Sequence, residues 1–125
     1  MTVVSARYRL VATLTGLVAA WIPWLLHGPI PDKLDRVRLN GALAVWGWYV
    51  ARMLIGLVVA STTWPRPWWL RGALFGALVM LPSAIFSAAT PGCGPDCAAM
   101  NVSTGALVGL LAAGAAWLAT GQDHA

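Results

Sequence analysis

The sequence predicts an all-α membrane protein, a bundle of four transmembrane helices joined by short loops. Two observations carry that prediction. Of 125 residues, 59% are hydrophobic and 10% are charged, with a mean hydropathy of +0.73; a soluble domain carries about 25% charged residues. The apolar residues are also gathered into four long runs, at about 10–27, 39–63, 72–90 and 101–120. Each run is close to the ~20 residues that cross a hydrocarbon core of about 30 Å. Helices are expected because lipid offers no partner for a backbone N–H or C=O. No segment alternates apolar and polar residues for the length of a membrane strand. Residues 1–125 read as one integral membrane domain, without an internal repeat.

The first run follows Arg7 and Arg9, as the apolar part of a signal peptide would. The segment after it, Trp24-Leu25-Leu26-His27-Gly28-Pro29, offers no small-x-small cleavage site, so the run is read as a retained span. Pro29-Ile30-Pro31 in the first loop resists helix formation. Asp32 suits an N-cap with Asp35 in the first turn, so the second helix is expected to begin near Lys33 and to protrude from the bilayer. In the second loop, Pro65 and Pro67 stop the helix, and Trp64, Trp68 and Trp69 suit the headgroup boundary. Arg66 and Arg71 are expected to face water there. Pro82 inside the third run, followed by Ser83 and Ser87, predicts a kink. The third loop is rich in Gly and Pro, and the fourth run opens with the polar residues Asn101, Ser103 and Thr104.

Lys and Arg favour the cytoplasmic side of a membrane. With the N-terminus inside, Arg7, Arg9, Arg66 and Arg71 are inner, and Lys33, Arg36 and Arg38 are outer. That bias is small, but the third loop holds no Lys or Arg, which favours placing it outside. A multi-pass protein of the cell inner membrane with both termini cytoplasmic is the expected arrangement. The net charge of +4 and the pI near 9.8 do not point to nucleic acid. The basic residues flank the spans, where they act as topology signals and contacts to anionic headgroups of the lipid bilayer.

Arg52 is the most informative residue. It falls near the middle of the second run, where a charge costs at least a few kcal/mol. The acids of the chain, Asp32, Asp35, Asp96 and Asp123, all lie outside the runs. Arg52 must therefore be met by carbonyls, side-chain oxygens, water, a partner subunit or an anion. On a helix its neighbours are Trp48, Tyr49, Ile55 and Gly56. Trp48 is expected to stack on the guanidinium, and Gly56 to leave a gap one turn further on. Gly41, Val45, Trp48, Arg52, Gly56 and Val59 form one stripe, which should face the bundle because lipid rejects Arg52. The functional reading is a polar or anion-accepting cavity at Arg52, Trp48, Tyr49 and Gly56; the plainer reading is a structural arginine bonded to neighbouring carbonyls.

Cys93 and Cys97 are separated by Gly94, Pro95 and Asp96. The spacing is one residue longer than a thioredoxin-type motif, and no Lys, Arg or His lies in the loop to lower a thiol pKa. In an oxidising compartment a structural disulfide is expected; a soft-metal site with Met100 is the alternative. Gly72 with Gly76, and Gly105 with Gly109, form small-xxx-small faces that let helices approach closely, within the bundle or between subunits. His27 and His124 have no evident partners and read as solvated. No P-loop, H-E-x-x-H or G-x-S-x-G is present. No span holds an acid, which argues against a proton-coupled carrier built on an intramembrane carboxylate.

Together these features predict a non-enzymatic accessory or scaffolding subunit, with no catalytic residue, resident metal or cofactor. It would pack through its Gly/Ala faces into a homo-oligomer or against a partner membrane subunit. The alternatives are a small oligomeric channel or transporter with its pathway at Arg52, and a thiol or metal site at Cys93 and Cys97. The topology is directly testable. Reporter fusions at Ala125 and at Gly94 should report opposite sides of the membrane, and a fusion at the N-terminus should agree with Ala125. Termini on opposite sides would require an odd number of spans.

Overall fold

The computed structural model describes residues 3–26, 29–89 and 94–123. Six helices follow one another: α1 (Val3–Ala19), α2 (Ile22–Leu26), α3 (Ile30–Asn40), α4 (Ala42–Ser61), α5 (Trp68–Ala89) and α6 (Pro95–Thr120). Four stretches are long and apolar enough to cross a membrane: Ala6–Leu26, Ala42–Ser61, Trp68–Ala89 and Pro95–Thr120. The first is α1 and α2 together. Between them the chain tightens, with Trp21 N–H donating to Val18 O at 3.2 Å in an i→i−3 bond. Pro23 has no N–H to donate and crowds the preceding turn, so the helix cannot run through it regularly.

Two boundaries differ from the sequence expectation. α3 begins at Ile30, not near Lys33, with Pro31 in its first turn. A proline is tolerated there because first-turn N–H groups lack intrahelical partners anyway. Asp32 therefore lies in the first turn and is not the cap. Nor does α3 run on into the second span. Gly41 takes φ +89°, ends α3 by donating its N–H to Val37 O at 2.8 Å, and starts α4 in a new direction. Only glycine adopts that φ without strain.

α5 and α6 form an antiparallel hairpin held by glycine against glycine. A Cβ added at Gly72 would meet the backbone of Gly109, and one added at Gly76 would meet the backbone of Gly105. The same hairpin stacks Trp68 on Trp117, with ring centroids 5.6 Å apart. α1 and α4 cross in the same way: a Cβ at Gly16 would lie 2.6 Å from the Gly56 Cα. Without a hydrophobic force between helices in lipid, such close approach supplies van der Waals contact. α1 lies against both α4 and α6, and α4 also touches α5.

The core is narrow. Ile55, Val59, Met80, Val108 and Ala113 form one buried cluster, and Tyr8, Ala12, Ala60 and Ala116 form a second. Large apolar side chains point outward instead: Leu43, Trp46, Val50, Leu54 and Leu57 line the outer stripe of α4. Tyr49, Arg52, Ile55, Gly56 and Val59 line its inner one. An apolar exterior of this extent suits an apolar solvent.

The glycine crossing makes a contrast that stability measurements can read. Gly76→Ala and Gly109→Ala force a methyl against backbone and should each cost roughly 1–3 kcal/mol. Gly47→Ala, whose Cβ meets nothing within 4 Å, should change stability by no more than about 0.5 kcal/mol. Equal melting temperatures for all three variants in detergent would contradict this packing.

Candidate functional site: the Arg52 cavity

Arg52 lies ten residues into α4, about 15 Å along the helix axis at 1.5 Å per residue. It is 5% exposed. Its Nη2 donates to Asn101 Oδ1 at 2.8 Å and its Nε to Thr104 Oγ1 at 3.3 Å. Both acceptors lie on α6, three residues apart, on one helical face. Asn101 in turn donates through Nδ2 to Ser87 Oγ on α5 at 2.6 Å, and Ser87 donates to Ser83 O at 2.8 Å. A hydrogen-bonded chain thus runs from α4 through α6 to α5. Every protein group that accepts from Arg52 is neutral, and among the described residues no carboxylate pairs with it.

One face of the guanidinium is covered by Tyr49, whose ring centroid lies 5.1 Å from Arg52 Cζ. Tyr49 is fixed in turn by Trp21, stacked at 5.0 Å, and by Trp24, edge-on at 5.9 Å. The sequence places Trp48 and Tyr49 equally close to Arg52, one turn back, and Trp48 is the expected stacking partner. The structure gives that place to Tyr49, whose ring is held by stacking on Trp21, in the turn between α1 and α2. Trp48 remains half-buried and lines the neighbouring space.

That space is a cavity of about 440 Å³. Arg52, Asn101 and Thr104 lie on its polar side. Trp24, Val37, Val45, Trp48, Tyr49 and Met100 give it mostly apolar walls. Lys33 of α3 and Asp96 at the start of α6 also line it, at the end of the bundle where α4 and α6 begin. Lys33 Nζ lies 5.7 Å from the Trp24 ring centroid, which ties α3 to α2. The Arg52 hydrogen bonds occupy Nε and one position on Nη2. Nη1 bonds to no described residue and is left for the cavity that Arg52 helps to line.

The other singled-out residues fall elsewhere. Gly56 leaves no gap beside Arg52; the backbone of Ala12 and Gly16 on α1 fills that place. Gly41 is exposed, at the break between α3 and α4. Gly72, Gly76, Gly105 and Gly109 are buried in the α5–α6 crossing and are not on an outer face. Cys97 is half-buried in the first turn of α6 and lines the cavity. Cys93 lies outside the described residues, and so does the expected pairing. Among the described residues no three His, Cys, Asp or Glu side chains gather as a metal site.

A second buried arginine differs from the expectation. Arg71 does not face water: it is 0% exposed. Its Nη1 donates to Pro65 O at 3.1 Å and to Arg66 O at 3.2 Å, and its Nη2 donates to Tyr8 Oη at 2.5 Å. Tyr8 Oη then donates to Asp123 O at 3.0 Å. This cluster joins α1, the α4–α5 loop, α5 and the C-terminal tail at the end opposite the cavity mouth. It brings both ends of the described chain to the same end of the bundle.

Asn101, Thr104 and Ser87 complete the Arg52 site without having been singled out for it. Their signal in the sequence was a polar pair at i and i+3 near the start of an apolar span, entered from the same side as Arg52 and to a similar depth. Comparison with protein-family models, with curated proteins and with solved structures gave no match.

The chain of polar groups predicts strong coupling. Arg52→Leu and Asn101→Leu should each destabilise alone, because each leaves a buried partner unmet. Together they should cost less than the sum, with a coupling of roughly 1–3 kcal/mol. Asn101→Leu combined with Tyr8→Phe, at the far end, should be additive within about 0.5 kcal/mol. A double-mutant cycle by denaturant or thermal unfolding in detergent measures both.

Proposed function

We propose that this protein is a non-enzymatic, multi-pass membrane protein whose working site is an anion-accepting cavity at Arg52. The observation that carries the reading is the solvation of that guanidinium. Two of its nitrogens are held by neutral oxygens, and among the described residues the third has no partner and no carboxylate pairs with it, while the side chain lines the cavity. A fixed charge in a low-dielectric setting is costly unless something answers it. Arg71 too keeps one nitrogen, the buried Nε, without a partner among the described residues, but it is fully enclosed and does not line this cavity. The accessory-subunit reading rests on small-residue faces free to bind a neighbour, and the Gly72–Gly76 and Gly105–Gly109 faces are already used within the bundle. The cavity supports binding or passage of a solute better than it supports scaffolding.

The test is anion-dependent stability. Purified wild-type protein should melt at a higher temperature as chloride, acetate or phosphate replaces a large inert anion, since a ligand at a hundredfold its Kd adds about 2.7 kcal/mol. Arg52→Leu should fold and lose that dependence. Arg52→Lys should lose most of it, because an ammonium cannot reproduce the planar fork held by Asn101 and Thr104. Wild-type stability indifferent to every anion, with an equally stable Leu variant, would overturn the reading.

A further inference from the structure

The geometry points to one class of ligand for this cavity: an amphiphilic monocarboxylate, its carboxylate at Arg52 and its apolar body along the aromatic walls. The inference rests on the anion-accepting reading and adds three observations to it. The first is charge. Among the described residues Arg52 and Lys33 are the cations lining the cavity and Asp96 is the anion, which leaves one positive charge over. A monoanion neutralises it; a dianion would carry an unanswered negative charge into a site with few other donors. A carboxylate also matches a guanidinium that offers Nη1 together with the remaining N–H of Nη2.

The second observation is size. At about 440 Å³ the cavity is within the range of small-molecule sites. It is roughly fifteen times the ~30 Å³ share of one water molecule, so an inorganic anion would leave most of it unfilled. The walls beyond Arg52 are Val37, Val45, Trp48 and Met100, which gain from an apolar body and not from water. The third is access. Met100 lines the cavity yet is 60% exposed. The cavity is therefore open beside Met100 as well as at the end marked by Lys33 and Asp96. An acid already dissolved in the bilayer and a short aromatic acid from water present the same chemistry to Arg52.

Wild-type protein in nanodiscs of zwitterionic phosphatidylcholine is titrated with acetate, octanoate, octanol, inorganic phosphate, oleate and 3-phenylpropionate. Binding is read by melting temperature and by tryptophan emission, since Trp24 and Trp48 line the site. Octanoate should bind at least about a hundredfold more tightly than acetate, because each buried methylene is worth roughly fourfold. Octanol should not shift the melting temperature through Arg52. Arg52→Leu should abolish the carboxylate effect. Val45→Trp, which fills the cavity without touching Arg52, should abolish the octanoate effect while keeping that of acetate. Oleate outperforming 3-phenylpropionate identifies the bilayer as the source; the reverse order identifies the aqueous mouth. If acetate and phosphate stabilise the protein through Arg52 but octanoate adds nothing, the amphiphile inference is overturned and the anion reading stands. If octanol matches octanoate, or no anion binds, both fall.

Discussion

A guanidinium inside an apolar bundle has to be solvated by the protein, and the arrangement of this fold around Arg52 follows from that requirement. Arg52 faces α6 because that helix carries Asn101 and Thr104 at the right depth. Asn101 can spend its oxygen on Arg52 because its amide nitrogen is answered by Ser87 on α5. Ser87 in turn gives its proton to its own helix at Ser83, so the chain ends without an orphaned donor. Each group is polarised by the one before it, and in a low dielectric such a chain is costly to leave half-satisfied. The orientation of α4 follows: once Arg52 points inward, Leu43, Val50, Leu54 and Leu57 must point outward, as an apolar solvent requires.

Glycine placement decides where the bundle is tight and where it is open. The α5–α6 and α1–α4 pairs are drawn together at Gly72, Gly76, Gly105, Gly109, Gly16 and Gly56, where backbone meets backbone. Between α4 and α6, near the end where both begin, no such pair is found among the described residues. Large side chains stand there instead: Trp48, Tyr49 and Met100. They hold the helices apart, and the cavity is the space they leave. The close crossings and the cavity are two results of one distribution of side-chain volume along the helices.

The four spans were legible because length and hydropathy are properties of the chain itself. Arg52 was legible because a charge in such a run is conspicuous. What escaped depended on a second element. Trp48 and Tyr49 stand one turn from Arg52 at i−4 and i−3, and only the crossing of α1, with Trp21 on Tyr49, chooses between them. Gly41 reads as an ordinary glycine in a helix; its φ of +89° belongs to the break at which α3 ends and α4 begins. Arg71 follows Pro65-Arg66-Pro67 and reads as a loop residue. It is buried because the carbonyls of Pro65 and Arg66 turn back on it and Tyr8 arrives from α1. Proline positions predict a loop but not the direction its carbonyls face.

The two buried arginines differ in what lies beside them. Arg71 is enclosed by two carbonyls and a phenol oxygen, with the Tyr8 ring 5.9 Å from its Cζ. Carbonyl oxygens and a hydroxyl meet its Nη1 and Nη2, its buried Nε has no partner among the described residues, and the fully enclosed cluster holds the chain ends and the α4–α5 loop together. Arg52 has the same chemistry and a similar number of neutral partners, but one side opens on about 440 Å³ of largely apolar space. A structural arginine gains nothing from that opening, since the same polar chain closed by a bulkier side chain at Val45 or Met100 would exclude water and pack better. An open apolar cavity with a partly used guanidinium at its base is instead the arrangement a negatively charged, largely apolar solute would fill. Among the described lining residues Lys33 and Asp96 carry opposite charges, so the charge left over at the cavity is that of Arg52.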